Sequence, residues 1–502
     1  MDVSDELKYS FKGEVSDEAW IKDCYSVDSS NHQVYPELVG FPKDEDDIKI
    51  SLSYAIKNGL AISCRGAGTS LLGQSLSNGL VLDFTKHMNK ILDLDLKSNW
   101  VSVQPGVVKG LLDKELRKHD KFLPPNPASS NYCTIGGMVS NNSSGPYGLG
   151  YGSILGYLQR VDFVYSDGRK GFAENGLCDD RFNKLLLPLF SIRDKISPMY
   201  PNVSKNSCGY RLDSIFIPTF NPQNLFAASE GTLVIFNSLK LKILDIPIFR
   251  SLYIVYFSSV QKACMYSNKI LSTRPVALEL LDTPVMDSSI KSITVSDNGC
   301  LLFIEYFYQY QGEINNISKL IRNAIYSEGK IVEQAHDVDS INNLWGSRRN
   351  ALNMAIKYTV GNRKPFTIFE DTAVSIDHIH EYITYMLTLY NKHDLSYVIY
   401  GHLGNGNLHT RPIITDPSNS AADDEEEVLN STQTKMLNDI AKLLFQKVTE
   451  YKGTITAEHG DGISRTPYIK NVYNSFILSY FEYIKKSFDP SNILNPGKII
   501  II

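Results

Sequence analysis

The chain has 502 residues and carries 50 Lys+Arg against 55 Asp+Glu, a net charge of -5 at neutral pH. No basic block or basic, aromatic-interleaved stretch interrupts that balance, so a nucleic-acid partner has no electrostatic footing. Its apolar fraction of 43% and charged fraction of 21% are those of a folded globular protein, and its length asks for more than one domain.

The opening MDVSDELKYSFKGEV is polar and acidic, unlike a secretory signal or transit peptide. Apolar runs such as residues 252–257 fall far short of the roughly 20 residues that a spanning helix needs. The seven cysteines (Cys24, Cys64, Cys133, Cys178, Cys208, Cys264 and Cys300) form no CxxC pair and are odd in number. A disulfide framework, a zinc ribbon and an iron–sulfur cluster all lack support. Free thiols suit a reducing compartment; the expectation is a cytoplasmic protein, with peripheral contact on the inner face of a membrane left open.

In chain order, residues 44–58 have helical spacing, 60–63, 79–83 and 100–103 read as strands, and 107–119 as a helix. Directly after the first of these strands comes RGAGTSLLGQS, Arg65 to Ser75. Glycines let a backbone wrap closely around phosphate oxygens, and successive amide N–H groups form an anion nest. Thr69, Ser70 and Ser75 add hydroxyl donors. No GxGxxG follows a strand and no Walker loop occurs, so nicotinamide and ATP binding lack a motif. A second segment, PPNPASSNYCTIGGMVS from Pro124 to Ser140, presents small polar residues from rigid prolines. Within it Gly136 and Gly137 permit close approach to a planar ligand. SEGTLVI at 229–235 has the same character.

From about residue 245 the chain is poorer in glycine. Strands are expected at 251–257 and 300–306, and helices at 312–327, 376–391, 430–452 and 472–488. The biased segment 415–435 contains the acidic run 423–427 and reads as solvated. The element order is α+β, without the regular alternation of a doubly wound sheet.

The strongest local signal is YGHLGNGNLH, Tyr400 to His409. Asn405–Gly406 is a preferred two-residue hairpin turn, flanked by strand-like 397–400 and 408–414. Pairing outward from it sets His402 opposite His409, with Cβ atoms roughly 4.5–5.5 Å apart on one face. Two imidazoles so placed can share a divalent ion. AEHGDG, at 457–462, adds the carboxylate of Glu458, and a His–His–carboxylate set suits Zn²⁺, Mn²⁺ or Fe²⁺.

The first half resembles the FAD-binding domain of the vanillyl-alcohol oxidase type. VGFPKDEDDI, RGAGTSLLGQS, PNPASSNYCTIGGMVSNNSSG, YGSILGYLQRVDFVYSDGR, NSCGYRL and SEGTL agree with it in order and spacing. The second half, through YGHLGNGNLH, AEHGDG, LWGSRRN, FEDTAV and FDPSNILNPGK, resembles the FAD-linked D-lactate, glycolate and D-2-hydroxyglutarate dehydrogenases.

That resemblance implies a two-subdomain FAD-binding domain over 1–245 and an α+β substrate (cap) domain over 246–430, with a central antiparallel sheet and the metal hairpin. A C-terminal helical segment over 431–502 would pack back on the FAD domain and close the site. It implies cofactor contacts at Arg65, Gly66, Gly68, Thr69, Ser70, Ser75, Pro124, Thr134, Gly136, Gly137, Ser140, Ser144, Glu230 and Ile235. Thr69 stands where some members bond FAD through a histidine, so the flavin is expected to be non-covalent. His402, His409 and Glu458 would hold one divalent metal, zinc foremost, with manganese or iron as alternatives. His459 would be the general base, with an ordinary imidazole pKa of about 6.5, and Arg348 would clamp the substrate carboxylate. The activity implied is oxidation of a small D-2-hydroxy acid (D-lactate, glycolate or D-2-hydroxyglutarate) by hydride transfer to flavin N5. The electrons would pass to oxygen, a quinone, an electron-transfer flavoprotein or a separate iron–sulfur subunit; a homodimer stays open.

Departures from the pattern bear on the substrate. Asn405 stands where Asp is common, and Asp461 where an aliphatic residue often sits. The Thr and Lys that some hydroxyglutarate enzymes present to the distal carboxylate have no match, since Leu352 and Phe369 fall there, which favours a shorter acid. The likeness is greatest to a subgroup often fused to a Cys-rich iron–sulfur domain. Two other readings remain: a non-redox enzyme of the alkyl-glycerone-phosphate synthase kind, which would carry a His-rich run in place of AEHGD, and a catalytically silent FAD-binding subunit, against which the complete His402/His409/Glu458/His459 set stands.

Overall fold

The computed structural model describes residues 3–286, 299–326, 328–350, 354, 363–365, 369–415 and 431–502. The acidic run 423–427 and Leu352 lie outside them.

The helix Glu45–Asn58 shows how local chemistry starts the first layer. The Asp44 carboxylate accepts from the N–H groups of Asp46 and Asp47, and Glu45, Asp46 and Asp47 place negative charge at the positive end of the helix dipole. Gly59 ends the helix in the left-handed conformation, at φ +67°. Its inner face, Ile48, Leu52 and Ala55, packs on a four-stranded sheet ordered Glu14–Ser16, Leu38–Phe41, Leu80–Asp83, Ile62–Arg65. The last three strands are parallel. The loop 66–75 therefore leaves from the carboxyl end of a parallel strand, a common place for ligands in such sheets.

A second sheet is antiparallel and six-stranded. It runs Leu177–Cys178, Lys170–Glu174, Leu158–Val164, Ile235–Lys242, Trp100–Val103, Ile91–Asp95.

The third sheet is antiparallel with seven strands: Lys330–Ala335, Phe249–Phe257, Cys300–Tyr308, Ala277–Asp282, Ser396–His402, Asn407–Thr415 and Arg363–Pro365. Alternation gives it two distinct faces. Tyr253, Val255, Leu280, Leu302 and Ile399 join the main core with the helices Val260–Leu271 and Ile379–Lys392. Leu252, Ile254, Leu281, Phe303 and Tyr400 form a separate cluster against Trp345 of the helix Val338–Arg349. The functional side chains project from this second face.

The C-terminal helix Ser475–Phe488 buries Ile477, Phe481 and Phe488. The Phe488 ring meets that of Phe182, centroids 5.0 Å apart. Beyond it Ile493 O accepts from Ile62 N at 2.7 Å and Asn495 N donates to Ile62 O at 2.8 Å, tying the chain end to the parallel strand beside the glycine loop. The chain is thus an α+β fold with a flavin-domain-like half and a half built on the seven-stranded sheet. No helix among the described residues is long and apolar enough to cross a membrane.

Candidate active site

The hairpin forms, but in a different register from the one its sequence suggests. Leu403–Asn405 winds into a 3₁₀ turn and Gly406 takes φ +66°. His402 consequently pairs with Asn407, and Tyr400 with His409. A two-residue type I′ turn needs positive φ at both central residues, whereas of Asn405 and Gly406 only the glycine has it. The loop is therefore longer and the register slips by two. An even slip preserves sidedness, so His402 and His409 remain on one face as diagonal neighbours. Their rings sit 5.3 Å apart at 83°.

Three donor atoms converge on that face. Glu458 Oε1 lies 2.8 Å from His402 Nε2 and 3.4 Å from His409 Nε2. The other Glu458 oxygen turns away, accepting from Lys205 Nζ at 2.9 Å and Gly145 N at 3.2 Å. Burial would raise this carboxyl's pKa, but His402 and Lys205 hold it well below the usual range. Behind the imidazoles stand two buried carboxylates. His402 Nδ1 is 2.7 Å from Glu279 Oε1, and His409 Nδ1 is 3.2 Å from Glu370 Oε2. Metal-binding histidines use this backing to fix tautomer and orientation. Two imidazole nitrogens and a carboxylate oxygen, their ligand atoms all within 4.8 Å of one another, fit a divalent ion of zinc, manganese or iron type.

Asp371 organises the loop that carries Glu458. Its Oδ2 accepts from the N–H groups of Ala457, Glu458 and His459 at 3.0, 3.0 and 2.8 Å. From the flavin-domain side, Glu230 accepts from Asp461 N and from Gly462 N.

His459 stacks on His409, centroids 4.9 Å apart, and its Nδ1 lies 2.8 Å from Glu370 Oε1. Burial alone would lower its pKa. Asp371 and Glu370 outweigh that and push it up to about 9, above the ordinary value expected from sequence. With no cation beside it the imidazole is thus protonated at neutral pH. A dication on Glu458, whose Oε1 is 3.9 Å from His459 Nε2, acts in the opposite sense.

One cavity of about 700 Å³ joins this cluster to the glycine loops. Its lining includes Arg65, Gly66, Gly68, Thr69, Ser70, Ser75, Pro124, Thr134, Gly136, Gly137, Ser140, Ser144 and Glu230 at one end, and Arg348, His402, His409, Glu458 and His459 at the other. The volume is that of a cofactor pocket. A Cβ added at Gly66 would run into the Thr134 hydroxyl, so the two glycine segments touch. At Gly137 an added Cβ meets protein only at Thr134 Oγ1, 3.3 Å away, and would take up cavity space. Such a backbone-lined trough fits a flat, phosphate-bearing cofactor like FAD.

Several expected contacts have other partners or lie beside the cavity wall. Ile235 is fully buried in the core around the four-stranded sheet, and its neighbours Val234 and Phe236 line the cavity instead. The Arg65 guanidinium donates to the Tyr25 and Val27 carbonyls, and Ser75 donates to Asp28. Arg348 gives Nε and one terminal nitrogen to Glu279 Oε2, at 3.1 and 2.7 Å, so that edge of its fork is already occupied.

Glu279, Glu370, Lys205 and Arg411 are site residues that the sequence reading did not single out. Glu279 is an acid flanked by leucines within the strand Ala277–Asp282, and Arg411 stands two residues after His409, on the same face. Both signals are visible in the sequence once the strands are placed.

Fold and site define a flavoprotein of two parts, in which a cofactor domain shares its cavity with a His–His–Glu cluster. Residues 36–170 match the FAD binding domain family and residues 246–499 the C-terminal domain family of FAD linked oxidases. The chain belongs to the FAD-linked oxidases. It is 26% identical to a D-2-hydroxyglutarate dehydrogenase of Pantoea ananatis over 94% of this chain and 49% of that protein. It is 28% identical to the glycolate oxidase subunit GlcD of Bacillus subtilis, over 95% and 91% of the two chains. A D-lactate dehydrogenase of Anaerostipes hadrus is 25% identical over 92% and 89%. The chain spans about half the length of the hydroxyglutarate dehydrogenases it matches. In fold it is similar to 4-ethylphenol oxidase from Gulosibacter chungangensis, with a TM-score of 0.71 at 14% identity, covering 100% of this chain and 97% of that one.

Proposed function

We propose that the protein oxidises a small D-2-hydroxy acid to the 2-oxo acid, using non-covalent FAD and one divalent metal held by His402, His409 and Glu458. The observation that carries this reading is the single cavity shared by the glycine loops and the three convergent ligand atoms. The names borne by its relatives, dehydrogenases and oxidases of 2-hydroxy acids, support the substrate class.

An alcohol keeps its proton at neutral pH, so a carbon can give up hydride only if that proton is removed as well. When bound, the metal acidifies the hydroxyl and the flavin takes the hydride. His459 receives the proton at Nε2, because its Nδ1 is committed to Glu370. Arg348, held in place by Glu279, orients the substrate carboxylate. Trp345 and Tyr400, packed on the same sheet face, keep water from that end of the cavity. Electrons then leave to a quinone, an electron-transfer flavoprotein or a separate iron–sulfur subunit.

The test is an anaerobic screen of D- and L-2-hydroxy acids for bleaching of the flavin absorbance, with protein reloaded with Zn²⁺ or Mn²⁺. Bleaching by a D-acid and not by its L-enantiomer is expected. A fully flavinylated, metal-loaded protein that no D-2-hydroxy acid reduces would sink the reading.

A further inference from the structure

We infer that Lys205 is a positioning residue for the metal: reaching across from the flavin half, it holds Glu458 to a single coordinating oxygen and so keeps room at the ion for the substrate. This inference rests on the metal-assisted oxidation proposed above and says what sets the coordination of that site.

The two oxygens of Glu458 have separate surroundings. Oε1 faces the imidazoles, 2.8 Å from His402 Nε2 and 3.4 Å from His409 Nε2. Oε2 is taken up by the flavin half, where Lys205 Nζ donates to it at 2.9 Å and Gly145 N at 3.2 Å. Lys205 Nζ also donates to Gly145 O at 3.3 Å, so that lysine, peptide and carboxylate brace one another. The lysine itself is closely confined. Its side chain is 2% exposed, and its stem passes Gly148 so near that an added Cβ there would fall 2.7 Å from Lys205 Cε. Asp371 meanwhile fixes the backbone that carries Glu458, accepting from the N–H groups of Ala457, Glu458 and His459. With its backbone held from the cap half and one oxygen held from the flavin half, the carboxylate is kept from turning both oxygens towards the imidazoles.

That restraint matters because a carboxylate freed of other partners can chelate. A catalytic metal site works with three protein ligands and an open position, and a 2-hydroxy acid brings two oxygens to it, one from the hydroxyl and one from the carboxylate. Two imidazole nitrogens and Glu458 Oε1 leave space for both. A fourth protein atom, Glu458 Oε2, would compete with the substrate for that space. The ammonium group acts in a second way. By drawing on the charge of the same carboxylate it weakens Oε1 as a donor, which leaves more of the ion's charge for the substrate hydroxyl. Gly145 N, uncharged and at the longer distance, is the weaker hold.

The experiment loads the FAD-containing wild type, Lys205→Met and Glu458→Gln with Co²⁺. Its visible absorption beyond the flavin bands weakens steeply as ligands are added, so the band reports coordination directly, and competition with a chelator gives the affinity. Lys205→Met should bind Co²⁺ at least as tightly as the wild type but with a weaker band. It should also lose about 10- to 100-fold in kcat/KM, the span for a residue behind a metal ligand, with flavin content unchanged. An unaltered band overturns the inference even if activity falls, because a lysine that merely stabilises the loop would cost activity without changing the ligand count. Metal affinity weakened by about tenfold or more overturns it too, since Lys205 would then be needed for binding itself. Should Lys205→Met not fold, X-ray absorption of the Zn²⁺-loaded wild type decides. A carboxylate bound through one oxygen keeps its carbon far from the ion, whereas a chelating carboxylate brings it close and overturns the inference. A wild-type band that Glu458→Gln abolishes and Lys205→Met leaves intact defeats Lys205 alone. No wild-type band, or one that Glu458→Gln leaves unchanged, defeats the metal reading on which the inference stands.

Discussion

Glu370 and His459 meet inside the protein, the carboxylate Oε1 at 2.8 Å from the imidazole Nδ1. A carboxylate only accepts, so Nδ1 carries the proton and Nε2 is the nitrogen available for chemistry. His459→Ala should slow flavin reduction by roughly 10²- to 10⁴-fold, the span of a general base, while the flavin stays bound. Glu370→Gln should cost less, about 10- to 100-fold, because Gln can still orient the ring but no longer offers it a charge. Stopped-flow flavin reduction and the flavin-to-protein absorbance ratio measure both effects. If His459→Ala loses its flavin, the residue shapes the cavity rather than moving the proton.

The proposed metal ligands make a second prediction through the side chains behind them. Chelation should remove activity, and Zn²⁺ or Mn²⁺ should restore it. Glu279→Gln, which alters only the partner of His402 Nδ1 and of Arg348, should weaken metal affinity by about 10- to 100-fold. Metal content after dialysis against graded chelator reads this directly. Full activity in protein proven metal-free would end the metal assignment.

The limits of the sequence reading have physical causes. Two histidines around a Gly–Asn–Gly centre, with a carboxylate further along, are a local pattern, and the structure brings those three side chains together. Their register was not legible because it depends on one dihedral, that of Asn405. The supporting carboxylates were not legible for a different reason. Glu279 reaches His402 only because Ala277–Asp282 pairs with Ser396–His402, and no spacing within the chain announces which strands will be neighbours. Ile235 illustrates the period-2 problem in reverse: a one-residue difference moves a side chain from the cavity wall at Val234 or Phe236 into the core. The raised His459 pKa is not legible in the sequence because Glu370 and Asp371, which hold it up with the adjacent Glu458, come from a segment distant in the chain.

A third prediction concerns the cofactor trough. Gly137 lines the cavity, and an added Cβ would meet protein only at Thr134 Oγ1, 3.3 Å away. Gly137→Val should therefore leave the fold intact while displacing the flat cofactor. The expected outcome is a circular dichroism spectrum like that of the wild type, with flavin retention reduced at least about tenfold, in keeping with the need for close fit in a buried pocket. Stoichiometric flavin in the purified variant would mean that the ring lies elsewhere in the cavity.

The fourth prediction lies away from the site, at Asp282 on the edge of the strand Ala277–Asp282. Burial pushes its carboxyl up to about 7 from an ordinary 3.8, despite the N–H bond it accepts from Thr283. Between those two values the folded protein holds a proton that the unfolded chain has released, so stability falls as pH rises through this window and stays lowered above it. At 1.36 kcal/mol per unit, the full cost is roughly 4 kcal/mol as an upper bound. Asp282→Asn removes the charge while preserving the size and the acceptor for Thr283. Because about two units of the window lie above pH 5, the variant should gain up to about 2.7 kcal/mol more over the wild type at pH 8 than at pH 5. Urea or thermal unfolding midpoints of both proteins at the two pH values measure the difference. Other buried carboxyls, Glu230 and Asp461 among them, share the raised direction, but they remain in both proteins and cancel from the comparison. A variant whose advantage is the same at pH 5 and pH 8 would show that Asp282 is ionised in the folded state throughout, with a partner that offsets its burial.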